Sequence, residues 1–235
     1  MAVMRTLTAV GHRGDPYRVR ENTLPSIRSA FARGADAVEI DVRLTRDGQP
    51  VLLHDETLQR LWGHDVRLDA VTAAQLKELT RGGIPTLREA LMAAGAGRVM
   101  IDLPGATAEA VRTVVGQVRE CGARDRTYYC AGADTMLAVR AADPGAEIAL
   151  TWTTLAPPRR VLIDAVAPSW LNYRFGLVDR ELTDALHREG LLVSAWTADT
   201  TWAMRGLVAA GVDAITTNRL DALARVRAEL GVPGR

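Results

Sequence analysis

With 235 residues, 48% of them hydrophobic, the chain is long enough to bury a substantial core, and α/β barrels of this length fold as one domain. Its 29 basic and 28 acidic residues leave a formal charge of +1, so overall charge indicates no polyanion-binding surface and nucleic acid is not an expected partner. No run approaches the roughly 18 apolar residues of a membrane span, and no signal-like apolar stretch precedes Gly11, so the chain reads as cytoplasmic and without stable membrane insertion.

Taken in chain order, β-type runs at 6–11, 37–43, 98–103, 127–130, 147–152, 162–167, 191–196 and 213–217 alternate with helical patterns. The helical patterns fall at 24–33, 86–95, 106–121, 133–142, 178–189, 199–210 and 219–230. Such alternation predicts βα units around a parallel sheet. Eight units fit a TIM (β/α)8 barrel of one domain over 1–235, and a doubly wound sheet is the alternative. Against the latter, no Gly-x-Gly-x-x-Gly fingerprint follows the first run. Thr86-Leu87-Arg88-Glu89 is a capping-box pattern, and Gly95, Gly122, Gly190 and Gly211 supply helix exits. Pro157-Pro158 interrupts the pattern, leaving no predicted helix between the fifth and sixth runs. Cys121 and Cys130 lack metal-like spacing and read as reduced core thiols in preference to a bridge.

The first run ends in Gly11-His12-Arg13-Gly14, where Arg13 offers a planar, permanently charged donor suited to phosphate oxygens. In the second, Glu39-Ile40-Asp41 puts two carboxylates on one face of a strand. Like charges side by side need solvent or a cation between them, which points to a hard divalent metal with oxygen ligands. Arg46-Asp47-Gly48-Gln49 then predicts a hairpin. With Asp47 and Gly48 as a two-residue loop, Leu44 opposes Val51, Val42 opposes Leu53 and Asp41 opposes His54; a bulge at Pro50 shifts this register by one. His12 and His54 thereby flank one ligand and can divide general-base and general-acid duties near neutrality. A lone His-Arg pair has a bland reading as a cap or surface pair. Joint placement at neighbouring strand ends favours a site, because that is where barrels carry catalytic side chains. His64 and His187, in a loop and a helix pattern, receive no role.

These residues resemble the glycerophosphodiester phosphodiesterase family. The resemblance runs through His12-Arg13-Gly14, Glu21-Asn22-Thr23, Gly34 to Asp55, Ile84-Pro85-Thr86-Leu87, Trp196-Thr197 and Gly211 to Thr217. It implies a TIM barrel that binds one divalent cation, Ca²⁺ or Mg²⁺, and cleaves a small-molecule glycerophosphodiester to glycerol 3-phosphate and an alcohol. By similarity His12 and His54 are the acid/base pair, Arg13 holds the phosphoryl oxygens and Trp196 walls the glycerol moiety. Glu39, Asp41 and Asp102 are implied metal ligands, and Glu21 a supporting group. The family's excursion after the second strand corresponds to 44–83, a short insertion that includes the hairpin.

Three departures bear on that resemblance. Asp102 stands where a glutamate of a Glu-x-Lys motif is usual, and Pro104 where its lysine is, which removes one phosphate-binding charge. Asp199 replaces an asparagine of Trp-Thr-x-Asn, and Asn218-Arg219-Leu220 replaces Asp-x-Pro. Arg219 and Arg174 are candidates to restore the lost charge. The expectation is a metal-dependent phosphodiesterase; the alternatives are a relative acting on another phosphate ester and a phosphate-ester-binding barrel without turnover. The sequence specifies no oligomeric state.

Overall fold

The computed structural model describes residues 6–234, so the ends of the expected 1–235 domain lie outside the described residues. Its strands are β1 (Thr8–Gly11), β2 (Ala37–Leu44), β3 (Pro50–Leu52), β4 (Arg98–Asp102), β5 (Thr127–Ala131), β6 (Glu147–Trp152), β7 (Trp170–Arg174), β8 (Leu192–Trp196) and β9 (Ala214–Thr217). All but β3 pair in parallel, in the order β1-β2-β4-β5-β6-β7-β8-β9. The last strand returns to the first, with Thr8 opposite Ala214 and Gly11 opposite Thr217, and closes the ring. This is a TIM barrel.

The barrel helices are α1 (Leu24–Ala32), α4 (Leu87–Ala94), α5 (Ala108–Glu120), α6 (Ala133–Ala142), α7 (Arg160–Val166), α8 (Arg180–Arg188), α9 (Thr201–Ala210) and α10 (Leu220–Leu230); α2 (Gln59–Trp62) and α3 (Ala73–Thr80) lie in the excursion after β2. None is long and apolar enough to cross a membrane. The capping box forms as the sequence predicts: Thr86 N donates to Glu89 Oε2 at 2.8 Å and Glu89 N to Thr86 Oγ1 at 3.2 Å. Both satisfy donors that the first helical turn leaves without a partner.

Alternation along the strands sorts side chains into two cores. Val38, Ile40, Val99 and Ile101 pack with helix residues such as Leu91, Val114 and Met136. Val10, Met100, Tyr128, Ala149, Trp170 and Ala214 form a separate cluster inside the ring. Toward the strand starts the interior is plugged by polar and aromatic groups. Arg98 pairs with Glu147 at 2.6 Å, Trp170 Nε1 donates to Glu147 at 2.7 Å, and the Tyr128 ring meets both the Arg98 guanidinium, 4.8 Å from its centroid, and the Trp170 ring, 6.3 Å away. The interior is therefore filled at that end, and a ligand can enter only where the strands finish. Residues of the excursion hold a small core of their own, built on Val51, Leu58, Leu68 and Leu76.

Two sequence expectations are corrected. Residues 162–167 are not a strand: 162–166 belong to α7, Ala167 caps it, and the barrel strand is β7, Trp170–Arg174. Leu162, Ile163 and Val166 pack one helical face on the core while Asp164 stays exposed, a pattern that a short β-branched run conceals. Pro168 stops the helix, and Asn172 among aromatic residues hides the strand. The hairpin register is also one residue off, with Val42 opposite Leu52 and Leu44 opposite Pro50. Thr45 N donates to Gln49 O at 3.1 Å, so Arg46-Asp47-Gly48 is a three-residue loop in which Gly48 takes φ +79°. Both cysteines are free, and Cys130 is buried.

Ile101 has no exposed surface. Truncation to alanine is expected to cost about 2–5 kcal/mol in urea unfolding, whereas Met92→Ala at an exposed helix position stays within about 0.5 kcal/mol. Equal losses would contradict this assignment of the core.

Candidate active site

The loop after β1 is shaped by its two glycines. Gly14 has φ +90°, and a Cβ there would come within 2.6 Å of the Ser26 carbonyl carbon. A Cβ on Gly11 would meet the Gly14 carbonyl oxygen at the same distance. The tight fold is secured from both sides, as Ser26 Oγ donates to Arg13 O at 3.0 Å and Asp15 N donates to Ser26 Oγ at 2.8 Å. Arg13 itself lies in the left-handed region with φ 56°, which turns its backbone N–H onto Glu39 Oε2 at 2.7 Å.

Glu39 and Asp41 follow one another on the inner face of β2, and Asp41 stands beside Asp102 of β4 in register. One ligand oxygen from each of the three lies within 4.8 Å of the others. Burial, then the nearby Asp41 and Asp102, pushes the Glu39 carboxyl well above the usual carboxylate range. Burial, then Asp41, pushes Asp102 up to about 7. Against three carboxylates stands one guanidinium, with Arg13 Nε 3.2 Å from Asp41 Oδ2. A cluster of hard oxygen donors that the protein's own cations leave undercompensated fits a divalent cation. The Cys130 thiol, opposite Asp102 on β5, donates a hydrogen bond to it and stays protonated under the same burial.

His12 and His54 face this cluster from different loops. His12 Nδ1 lies 2.9 Å from Asn218 Oδ1, and burial, then the Arg13 charge, holds its imidazole below the ordinary value. His54 Nδ1 lies 2.7 Å from Asp55 Oδ1. Hydrogen bonding from Arg60, and after it from His54, brings Asp55 down to about 2. His12, Arg13, Glu39, Asp41, His54, Asp102 and Trp196 all line one pocket of about 280 Å³. Glu21 is outside the lining and reaches it through Arg13, bonded to Nη1 at 2.8 Å. Burial opposes ionisation of Glu21, but bonds from Arg60 and the charge of Arg13 outweigh it and hold its carboxyl low. Pro104 lines the pocket, while neither Arg174 nor Arg219 does; Arg219 is paired with Asp221 at 3.1 Å.

Four residues to which the sequence assigned no supporting role hold the site together. Asn22 donates through Nδ2 to Asp41 Oδ2 at 2.7 Å and accepts from the Asp41 backbone N–H at 3.2 Å. Arg60, from α2, bridges Asp55 and Glu21, each at 2.6 Å. Asn218 and Asp199 stand behind His12. Asn22 lies inside a motif of the family resemblance, and Asp199 and Asn218 at departures from it; Arg60 carried no signal.

Residues 12–222 match the family described as "Glycerophosphoryl diester phosphodiesterase family". A glycerophosphodiester phosphodiesterase of Caldanaerobacter subterraneus subsp. tengcongensis is 27% identical over 241 residues, covering 94% of this chain and 97% of that protein. Glycerophosphodiester phosphodiesterase 1 of Homo sapiens is 39% identical over 97 residues, 36% of this chain and 29% of that protein. In the fold comparison, an Oleispira antarctica phosphodiesterase solved with the product sn-glycerol-3-phosphate superposes with a TM-score of 0.84 at 20% identity, covering 94% of this chain and 96% of that one. Fold and family together define a phosphoric diester hydrolase. The chain belongs to the glycerophosphoryl diester phosphodiesterase family.

The raised Glu39 and Asp102 carboxyls bind protons more tightly folded than unfolded. Chelated protein therefore loses stability as pH rises from the unfolded carboxylate range of about 4 through about 7. Thermal melts should show Asp102→Asn losing less between about pH 5 and about pH 8 than wild type does. Mg²⁺ should raise the wild-type Tm more at the higher pH. Parallel pH profiles for the two proteins would contradict the charge balance described.

Proposed function

We propose that this pocket hydrolyses glycerophosphodiesters to glycerol 3-phosphate and an alcohol, with one divalent cation, Ca²⁺ or Mg²⁺, held by Glu39, Asp41 and Asp102. The observation that carries the reading is the convergence of an acidic triad, one guanidinium and two histidines on a single small pocket. We read the chain as one catalytic domain in which 44–83 is an insertion. It contributes His54 and the residues that hold it, Asp55 and Arg60.

Arg13 offers Nη donors to the non-bridging phosphoryl oxygens, and Glu21 fixes that guanidinium from behind. Trp196 gives the glycerol moiety an apolar wall. When bound, the cation neutralises charge developing on the phosphoryl group. His12, whose Nδ1 meets a neutral amide, takes the proton of the glycerol hydroxyl next to the phosphate; His54, whose Nδ1 meets a carboxylate, protonates the departing alkoxide. The hydroxyl oxygen forms a bond to phosphorus as the bond to the alcohol breaks, giving a cyclic phosphate. Water then opens the ring, with His54 removing its proton and His12 returning one to the glycerol oxygen. Pro104 leaves Arg13, among the described residues, as the pocket's one guanidinium or ammonium group, which favours small substrates with a single phosphate.

Release of glycerol 3-phosphate from glycerophosphocholine and glycerophosphoethanolamine is expected with Ca²⁺, Mg²⁺ or Mn²⁺ and not with a chelator. His12→Ala and His54→Ala should each lower kcat by about 10²- to 10⁴-fold while calorimetry still records cation binding. No release with any of the three metals would reject this substrate class. Turnover of other phosphate esters would then mark a divergent relative, and ligand binding alone a barrel without turnover.

A further inference from the structure

His12 has only one productive arrangement as a base, with its proton on Nδ1 and a lone pair on Nε2 facing the pocket. What decides that tautomer is the orientation of the Asn218 amide, whose oxygen lies 2.9 Å from Nδ1. An amide can turn over, offering its NH2 group to the ring and forcing the opposite tautomer. Asp199 blocks that turn. Its Oδ2 accepts from Asn218 Nδ2 at 2.7 Å, while Oδ1 accepts from the Asn218 backbone N–H at 2.8 Å and from Thr217 Oγ1 at 3.0 Å. An ionised carboxylate has no proton to donate, so it tolerates only the NH2 face of Asn218.

We propose that Asp199 is a positioning residue that fixes the Asn218 amide, and through it the Nδ1-protonated tautomer of His12. The inference rests on the proposed role of His12 but concerns a different pair of residues. A carboxylate one residue further from the ring orders the imidazole without placing an opposite charge against it. The backbone carries the arrangement, since Asp199 follows the end of β8, Asn218 follows β9, and His12 N donates to Thr217 O at 3.0 Å.

The geometry makes Asp199→Asn an inverting variant. The Asn218 backbone N–H keeps an oxygen at the Oδ1 position, so the new NH2 group falls at the Oδ2 position. It faces the Asn218 side chain and turns that amide over. Asn218 Nδ2 then meets His12 Nδ1, which must carry the lone pair, and Nε2 becomes a donor. In Asn218→Asp two carboxylates meet at the 2.7 Å contact. In the exchanged double variant, D199N/N218D, the NH2 group at 199 donates to the carboxylate at 218, which accepts from Nδ1–H and restores the wild-type tautomer.

The test is ¹⁵N NMR of histidine-labelled protein, with Mg²⁺, at a pH where His12 is neutral, alongside kcat. Wild type should show His12 protonated at Nδ1, and Asp199→Asn should show it protonated at Nε2, with kcat lower by about 10²- to 10⁴-fold. The exchanged double variant should regain the Nδ1 proton and at least a tenfold share of the lost kcat, more than additive single losses allow. An Nε2-protonated His12 in wild type, or an unchanged tautomer in Asp199→Asn, overturns the proposal. Should Asp199→Asn not fold, the wild-type spectrum and the double variant decide it. Wild type without turnover on any glycerophosphodiester would reject the proposed function, yet the tautomer spectra would still judge Asp199.

Discussion

Glu39, Asp41 and Asp102 bring three carboxylates within 4.8 Å of one another, two of them almost wholly removed from water. Desolvation and mutual repulsion both oppose that arrangement, and much of the surrounding loop structure answers it. Arg13 gives Glu39 a backbone N–H and Asp41 the edge of its guanidinium. Asn22 gives Asp41 a side-chain amide proton, and the Cys130 thiol gives one to Asp102. Arg13 and Asn22 both belong to the loop between β1 and α1, and Cys130 to β5, so that loop is ordered around the carboxylates as much as by its own sequence. The remaining negative charge is what suits this place to a cation.

The barrel makes that concentration of charge tolerable by segregating it. One end of the interior is closed by Arg98, Glu147, Tyr128 and Trp170, with every charge there paired. The helices bury the apolar outer face of the strands, and the stability that this provides is spent at the other end, where polar groups point into a pocket. The two histidines differ because their surroundings do. His12 is buried beside an amide, whereas His54 is half open, against a carboxylate that Arg60 also holds. Two chemically identical side chains are given unlike partners.

Much of the candidate site was legible because its residues fall in short local patterns. Glu39 and Asp41 share a strand face through a two-residue period, and His12 and Arg13 lie between glycines that only a tight loop requires. His54 was reached by counting outward from Asp47-Gly48. That count was one residue off, yet it returned the histidine to the carboxylates, because the whole hairpin comes back alongside β2. Strand β7 was misplaced since Leu162, Ile163 and Val166 suit a helix face as well as a strand. Nothing local distinguishes the two until the Trp170 and Asn172 side chains are seen to line the interior. The parts that Arg60, Asn218 and Asp199 play were out of reach for a different reason: Arg60 meets Glu21 39 residues away, Asn218 meets His12 206 away, and Asp199 meets Asn218 19 away.

The sequence by itself determined the alternation of strands and helices, the closely spaced carboxylates, and the family to which the motifs belong, since each is written in residues a few positions apart. Only the tertiary structure decided what surrounds them. Ring closure brought β9 beside β1 and thereby set Asn218 behind His12, and the β2–β4 register put Asp102 beside Asp41. Those contacts join segments with no common local pattern, and long-range pairing settles them because the barrel has only one register that buries its apolar face.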